Sequence, residues 1–434
     1  MKYSKFNTFI PYEDKFLAYN SFTDKFLLLE PFLYELIKAS IIEDCPTQIG
    51  NYHRDLYEEL VKYGFILSED VDEISEVKKR MDSIIYDNEN YRLIINPTMN
   101  CNFKCWYCYE THIKNSKMDE ITINKVVKFI ENTLKSNPTI KHFRLSFFGG
   151  EPLLYFEKVI SKILPSANLL CLENNVTLKS DFTTNGYLIN DEMILFFKKN
   201  NVDDFQITLD GSKFYHDKVR FINNKRGSYE KILENIKNLI VNDFALTIRI
   251  NYTKENINSI KDIIFDLENL FPDFKERKLI RIAPQKVWQE DFDESNLIIN
   301  NFLNRILHAG FTVPYSKMSD SIKYACYADR INQATINYNG DVFKCTARDF
   351  TKDNLEGVLD SDGLIQWKNN ILNRFEKRLT NKPCLDCKIM PICGGGCSQK
   401  AIENLGNDYC VNDFDESKKN AIVFDRFIGV LESY

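Results

Sequence analysis

The chain has no surplus of basic residues. Lys and Arg number 56 against 62 Asp and Glu, a net charge of −6, so no positive field argues for a nucleic-acid partner. No uninterrupted apolar run reaches the roughly eighteen residues of a membrane-spanning helix, and no membrane association is expected. The opening MKYSKFNTFIPYEDK has no apolar signal core, so a cytoplasmic location is expected. Low-complexity stretches are missing too, as is any long internal repeat beyond a β/α alternation. What remains is a chain of 434 residues, 44% apolar and 27% charged, enough for about three domains at ~150 residues each. It carries twelve cysteines. In a large chain without a secretion signal, clustered cysteines point to metal rather than to a disulfide framework.

The cysteines fall into three groups. Cys101, Cys105 and Cys108 lie within eight residues, and Cys326, Cys345, Cys384, Cys387, Cys393, Cys397 and Cys410 fill the last quarter. Cys45 and Cys171 stand alone and read as small buried hydrophobes.

Three segments are expected. Residues 1–88 contain strand-like runs at Lys15–Tyr19 and Lys25–Leu29, a helix opened by Pro31, a second helix over His53–Tyr63 and a short strand after Gly64. This is a winged-helix-like αβ module, followed by a helical bridge over Asp70–Tyr86. In residues 89–310 six strand-like runs (Tyr91–Asn96, Phe143–Phe148, Val176–Phe182, Phe205–Leu209, Leu246–Asn251, Leu279–Ala283) alternate with helical ones. The pattern implies an α/β fold with a parallel sheet, either doubly wound or curled into a partial (βα)6 barrel, since a full barrel needs eight strands. A helical connector, Glu294–Ala309, leads to a Cys-rich segment, 311–434, with one hairpin, Ala334–Tyr338 and Asp341–Cys345, turning at Asn339-Gly340.

The first cysteine group is C-x3-C-x2-C in the loop after the first strand. A zinc knuckle or a redox pair is the plainer reading, but three thiolates leave structural zinc one ligand short. Three cysteines suffice for a 4Fe–4S cluster whose fourth iron stays open. Strand two ends in Phe148-Gly149-Gly150-Glu151-Pro152, where two glycines permit close approach to the backbone.

With these two ordered motifs, residues 91–288 resemble the radical S-adenosylmethionine family. The resemblance implies that Cys101, Cys105 and Cys108 hold a 4Fe–4S cluster and that S-adenosylmethionine chelates its open iron. Gly149, Gly150, Glu151 and Pro152 would cradle the methionyl amino group. Tyr107 and Thr208 match cofactor-contacting positions of peptide-modifying members. His216 and Arg220 match a spaced pair whose arginine is expected at the cofactor carboxylate, and Asn185-Gly186 and Arg249-x-Asn251 are similar to the family as well. Asp210, before Gly211, reads as a turn residue.

The tail alone fits zinc ribbons. Beside the radical motifs, Gly340-x4-Cys345 and the spacings that follow resemble the SPASM extension, which implies two auxiliary 4Fe–4S clusters and so three in all. By that resemblance Cys326, Cys345 and Cys397 serve one, and Cys384, Cys387, Cys393 and Cys410 the other. The first then lacks one cysteine ligand. The N-terminal module resembles leader-recognition domains of ribosomal-peptide maturases. The expected activity is therefore hydrogen abstraction from a precursor peptide, bound through its leader, to install a crosslink (C–C, C–O or thioether). A flavodoxin or ferredoxin would serve as reductant. Two alternatives stand beside it. One is anaerobic sulfatase maturation, whose catalytic aspartate would follow Cys345 but is replaced here by Thr346. The other is a non-catalytic iron–sulfur peptide-binding scaffold.

Overall fold

The computed structural model describes residues 1–223, 226–290, 292, 296–314, 326–368, 374–375 and 380–431. By packing the chain divides into two compact units, one of Met1–Asp87, Ser316–Ile331 and Asn369–Tyr434, the other of Asn88–Tyr315 and Asn332–Lys368.

The larger unit is built on β1 (Asn90–Ile95), β2 (His142–Phe147), β3 (Thr177–Thr184), β4 (Val202–Leu209), β5 (Ala245–Tyr252) and β6 (Ile280–Lys286). All six run parallel, in the order β6-β5-β4-β3-β2-β1. A doubly wound sheet reverses its order at a switch point. This one does not, which gives the strand order of a partial (βα)6 barrel. The crossovers include α1 (Glu120–Ser136), α2 (Ser161–Glu173), α3 (Asp191–Lys199), α4 (Tyr229–Ile240) and α5 (Ile260–Leu270). Asp119 and Asn190 start α1 and α3 by accepting the backbone N–H three residues on, which satisfies a donor the helix itself cannot. Of the expected connector, Glu294 lies outside the described residues, and the helix α6 spans Asn296–His308.

Side chains alternate along the strands. Phe143, Leu145 and Phe147 of β2, Phe182 of β3, Phe205 and Ile207 of β4 and Ile248 of β5 are buried in one core with Val126, Ile130, Ile163, Phe197 and Ile236 of the helices. Intervening positions are polar. Arg144 pairs with Asp181 at 2.7 Å and Asp203 at 3.3 Å, and Arg281 pairs with Asp204. The strands therefore do not read as the unbroken apolar runs of a sheet buried on both faces.

The expected hairpin forms, as β7 (Gln333–Ile336) and β8 (Asp341–Phe343), with Gly340 at φ +85° in its turn. Its location differs from the expectation. β7 pairs in parallel with β1, and β8, β9 (Gly357–Leu359) and β10 (Ile365–Trp367) extend the same sheet antiparallel to ten strands. Turn chemistry determines a hairpin locally but carries no information about the edge it docks on. The unpaired edge of β1 supplies that.

In the smaller unit three antiparallel strands, Asn7–Tyr12, Lys15–Asn20 and Lys25–Leu29, form a sheet with Lys15–Asn20 in the middle. The first was not legible, because Pro11 interrupts it; as an edge strand it tolerates a residue with no N–H to donate. Helices Pro31–Ile42 and Arg54–Lys62 follow, and Ile66–Leu67 pairs with Lys2–Tyr3. Ala18 and Leu29 of the sheet pack on Ile37, Leu56 and Leu60. Tyr19 joins Ile389 and Val423 in a second cluster, and the Phe26 and Tyr12 rings lie 5.5 and 5.4 Å from that of Phe427. The helix Glu416–Leu431 is thus part of the N-terminal module's core. Arg426, only 2% exposed, clamps Asp24 through Nε at 3.1 Å and Nη2 at 2.5 Å, and the Tyr19 hydroxyl donates to the same carboxylate at 2.7 Å. Removing one partner of a buried pair strands the other's charge. Arg426→Ala is expected to cost about 3 kcal/mol in denaturant unfolding, and Asp24→Ala in that background to cost little more.

Candidate active site

The C-terminal ends of parallel strands all open on one edge, and the loop after β1 carries the three cysteines. Its backbone is braced before the first of them. Thr98 Oγ1 donates to the Ser116 carbonyl at 2.6 Å, the Met99 N–H donates to Ser116 Oγ at 2.9 Å, and the Glu151 N–H donates to the Asn100 carbonyl at 2.8 Å. The loop after β2 crosses so close that a Cβ on Gly150 would fall 2.2 Å from the Asn100 carbonyl oxygen, and Gly149 holds φ +82°. Only glycine fits either position.

Cys101, Cys105, Cys108, Gly149 and Gly150 line one cavity of about 160 Å³. Tyr107, Thr208 and Arg220 line it as well. Among the described residues no three His, Cys, Asp or Glu side chains close on a point as a single-ion site would; the thiols ring a void. Burial pushes the Cys101 and Cys105 thiols up and holds Cys108 at about 11, so a positive centre is needed before they ionise. Three thiol donors and a side-chain-free glycine wall suit a polynuclear cluster with an amino-acid ligand beside it.

Glu151 and Pro152 do not line the cavity. The Glu151 carboxylate turns into the sheet ends, accepting from Leu153 N at 2.9 Å, Thr184 Oγ1 at 2.8 Å and Asn185 N at 2.8 Å. Burial outweighs these donors and raises its pKa to about 7. Pro152 opens a short helical turn directly after it.

Asp210, read as a turn residue, sits at the centre of the site instead. It is 2% exposed and accepts from Arg220 Nε at 2.8 Å and from the Tyr107 hydroxyl at 2.7 and 2.6 Å, while Arg220 Nη2 donates to that hydroxyl at 2.8 Å. A carboxylate at the end of β4 thereby holds both the residue before the third cysteine and the arginine expected at a cofactor carboxylate. Its only sequence signal was a position one residue past a strand end. His216 is fully buried; its ring meets Ser228 Oγ at 2.9 Å and takes the Asp210 N–H at 3.3 Å. Thr208 and Arg249 are register partners on β4 and β5, and Arg249 donates to Asn251 at 2.9 Å within the same cavity wall. The sequence held no pointer to Gln289, whose side-chain amide donates to the Tyr107 carbonyl at 2.5 Å, or to Trp288, whose ring lies 5.3 Å from that of Tyr109.

In the smaller unit Cys384, Cys387, Cys393 and Cys410 line a second cavity together. Cys397 and Cys326 belong to that unit without lining this cavity, and Cys345 belongs to the larger unit. All twelve cysteines are free of disulfides.

Residues 95–267 match the model of the radical SAM superfamily. The chain is 26% identical over 367 residues to the cysteine-type anaerobic sulfatase-maturating enzyme of Clostridium novyi (strain NT), covering 76% of this chain and 93% of that protein. It is also 26% identical over 384 residues to the radical SAM cyclopropyl synthase TigE of Paramaledivibacter caminithermalis, covering 81% and 78%. Streptococcus suis SuiB bound to its precursor peptide SuiA shares the fold at TM-score 0.55 and 15% identity, over 94% of this chain and 98% of that one.

The elevated pKa of Glu151 has a pH signature. Folding raises it from the ordinary value of 4.5 to about 7, so the folded state binds the proton more tightly. This contribution is complete below about pH 4.5 and is lost as pH rises through 7. For the metal-free protein, Glu151→Gln is expected to remove a decline of order 3 kcal/mol between those limits, read from unfolding curves of both proteins.

Proposed function

We propose, on the premise that residues 95–267 are a radical SAM domain, that this enzyme matures a ribosomally synthesised peptide, abstracting hydrogen and installing a crosslink. The observation that carries the reading is the convergence of three cysteines, the Gly149–Gly150 wall, Tyr107 and Arg220 on one cavity, with the buried Asp210 holding the last two. When bound, a 4Fe–4S cluster on Cys101, Cys105 and Cys108, together with S-adenosylmethionine, supplies a 5′-deoxyadenosyl radical able to take a hydrogen atom. The protein's part is to hold and exclude. Gly149 and Gly150 leave the backbone bare for close approach. Asp210 fixes Tyr107 and Arg220 in place. Trp288 and Gln289 complete the cavity wall.

The N-terminal sheet supports peptide recognition by strand addition. Both of its faces are packed, one on Ile37, Leu56 and Leu60, the other on Val423 and Phe427. Among the described residues Lys25–Leu29 pairs on one side only, which leaves an edge beside exposed Leu28 and Phe32. A leader laid along that strand gains main-chain hydrogen bonds, with these apolar side chains selecting its sequence. The remaining partner is a one-electron donor of the flavodoxin or ferredoxin class. A second reading, sulfatase maturation, is favoured by the likeness to the Clostridium novyi protein. It lacks its base here, since Thr346 follows Cys345 and the nearby carboxylate of Asp349 is engaged by the Thr111 N–H at 2.8 Å and by the Thr111 hydroxyl.

Anaerobically reconstituted protein is expected to contain about twelve iron and twelve sulfide per chain, the sum of three 4Fe–4S clusters, and to release 5′-deoxyadenosine under reduction. Cys105→Ala is expected to abolish that release; retained release would refute the site. For the recognition edge, deleting residues 1–88 would also strip the cover from Val423 and Phe427, so a point change is cleaner. Leu28→Asp is expected to weaken leader-peptide binding at least tenfold in a fluorescence titration, with 5′-deoxyadenosine release intact.

A further inference from the structure

The four-cysteine cavity of the smaller unit has an uneven electrostatic lining. Most of its wall is apolar, with Ile389, Met390, Val411 and Phe414 between the thiols. Tyr409 also lines it, but its hydroxyl donates away, to the Gly395 carbonyl at 2.9 Å. Among the described residues one cation lines the cavity, Lys419, whose side chain is 13% exposed; a second, Lys400, donates to the Cys410 carbonyl at 3.4 Å without lining it. The Lys419 ammonium lies 2.6 Å from Glu416, whose side chain is 69% exposed. Water screens the exposed carboxylate more than it screens the half-buried ammonium, so the cavity senses a net positive charge. A neutral donor adds to it. Asn381 Nδ2 donates to Cys384 Sγ at 2.9 Å, and the same amide is held in orientation by the Tyr409 carbonyl at 2.8 Å.

We infer that Lys419 and Asn381 raise the reduction potential of an iron–sulfur cluster held by Cys384, Cys387, Cys393 and Cys410, fitting it to accept an electron. The inference rests on the reading that these four thiolates hold a 4Fe–4S cluster. Four thiolates on a 2+ core carry a net charge of −2, and one-electron reduction takes it to −3. In an apolar wall that added charge is costly unless a cation or a hydrogen bond to sulfur meets it. The three-cysteine loop of the larger unit offers the contrast. The cation beside it, Arg220, is neutralised by Asp210 in a pair where both side chains are buried. The local cation therefore counts for more beside the four-cysteine cavity than beside the three-cysteine loop.

The test uses the full chain, reconstituted with iron and sulfide, with Cys101, Cys105 and Cys108 replaced by Ala to silence the radical-generating cluster. An EPR-monitored redox titration of this background reads the remaining reduction steps. Lys419→Met and Asn381→Ala are each expected to move one step to more negative potential at unchanged iron content, and Lys419→Arg to leave it in place. Glu416→Gln removes only the screened exposed carboxylate and is expected to move the same step little. Asn381→Ala keeps the inference testable should Lys419→Met fail to load iron. Full iron content with unmoved steps in Lys419→Met and Asn381→Ala would overturn the inference. The underlying reading fails separately: Cys384→Ala with Cys387→Ala would then cost no iron.

Discussion

A buried ion pair sets the geometry of the cavity. Asp210 at the end of β4 and Arg220 ten residues on meet at 2.8 Å, both buried, and the Tyr107 hydroxyl bridges them. Each charge would be costly alone, and the pair is tolerable because the phenol hydrogen-bonds to both partners. The phenol belongs to the cysteine loop, so the pair fastens that loop to the opposite strand end. Burial holds the Tyr107 hydroxyl well above its ordinary pKa, so it stays protonated and donates to the carboxylate.

A second constraint is steric. The loops after β1 and β2 pass each other at the Asn100 carbonyl and Gly150, where no side chain has room. The contact presses the cysteine loop against a bare backbone, and Glu151, turning its carboxylate into Thr184 and Asn185, ties the second loop to the third strand end. Three successive strand ends are thereby coupled in register. The site is rigid where donors must be placed and open where a ligand must enter, the arrangement a preorganised reaction centre requires.

In the smaller unit the three-stranded sheet is packed on both faces, by Ile37, Leu56 and Leu60 on one and by Val423 and Phe427 on the other, and among the described residues it leaves one edge unpaired. The C-terminal helix that completes it carries Phe427 and Arg426 toward the sheet and, about two turns earlier, Lys419 at the four-cysteine cavity. A single helix therefore serves a core, an ion pair and the four-cysteine cavity at once.

Much of this was legible in the amino-acid order. The six strands, the cysteine spacings and Gly-Gly-Glu-Pro are local patterns, set by alternation, by turn chemistry and by the reach of short loops, and the structure keeps them within a few residues. Other features depend on partners distant in the chain. Nothing near Asn339-Gly340 indicates that its hairpin would extend the barrel sheet, because edge docking depends on which strand is left unpaired. Asp210 looked like a turn residue because its partners, Tyr107 and Arg220, lie on different elements. The Asn7–Tyr12 strand hid behind Pro11, acceptable only because the strand is at an edge. The sequence alone determined the donors, their order and the elements that carry them. Tertiary structure decided which charges are neutralised, which faces are covered and which cavity each thiol lines, because burial and pairing are set by residues that meet only after the chain has folded.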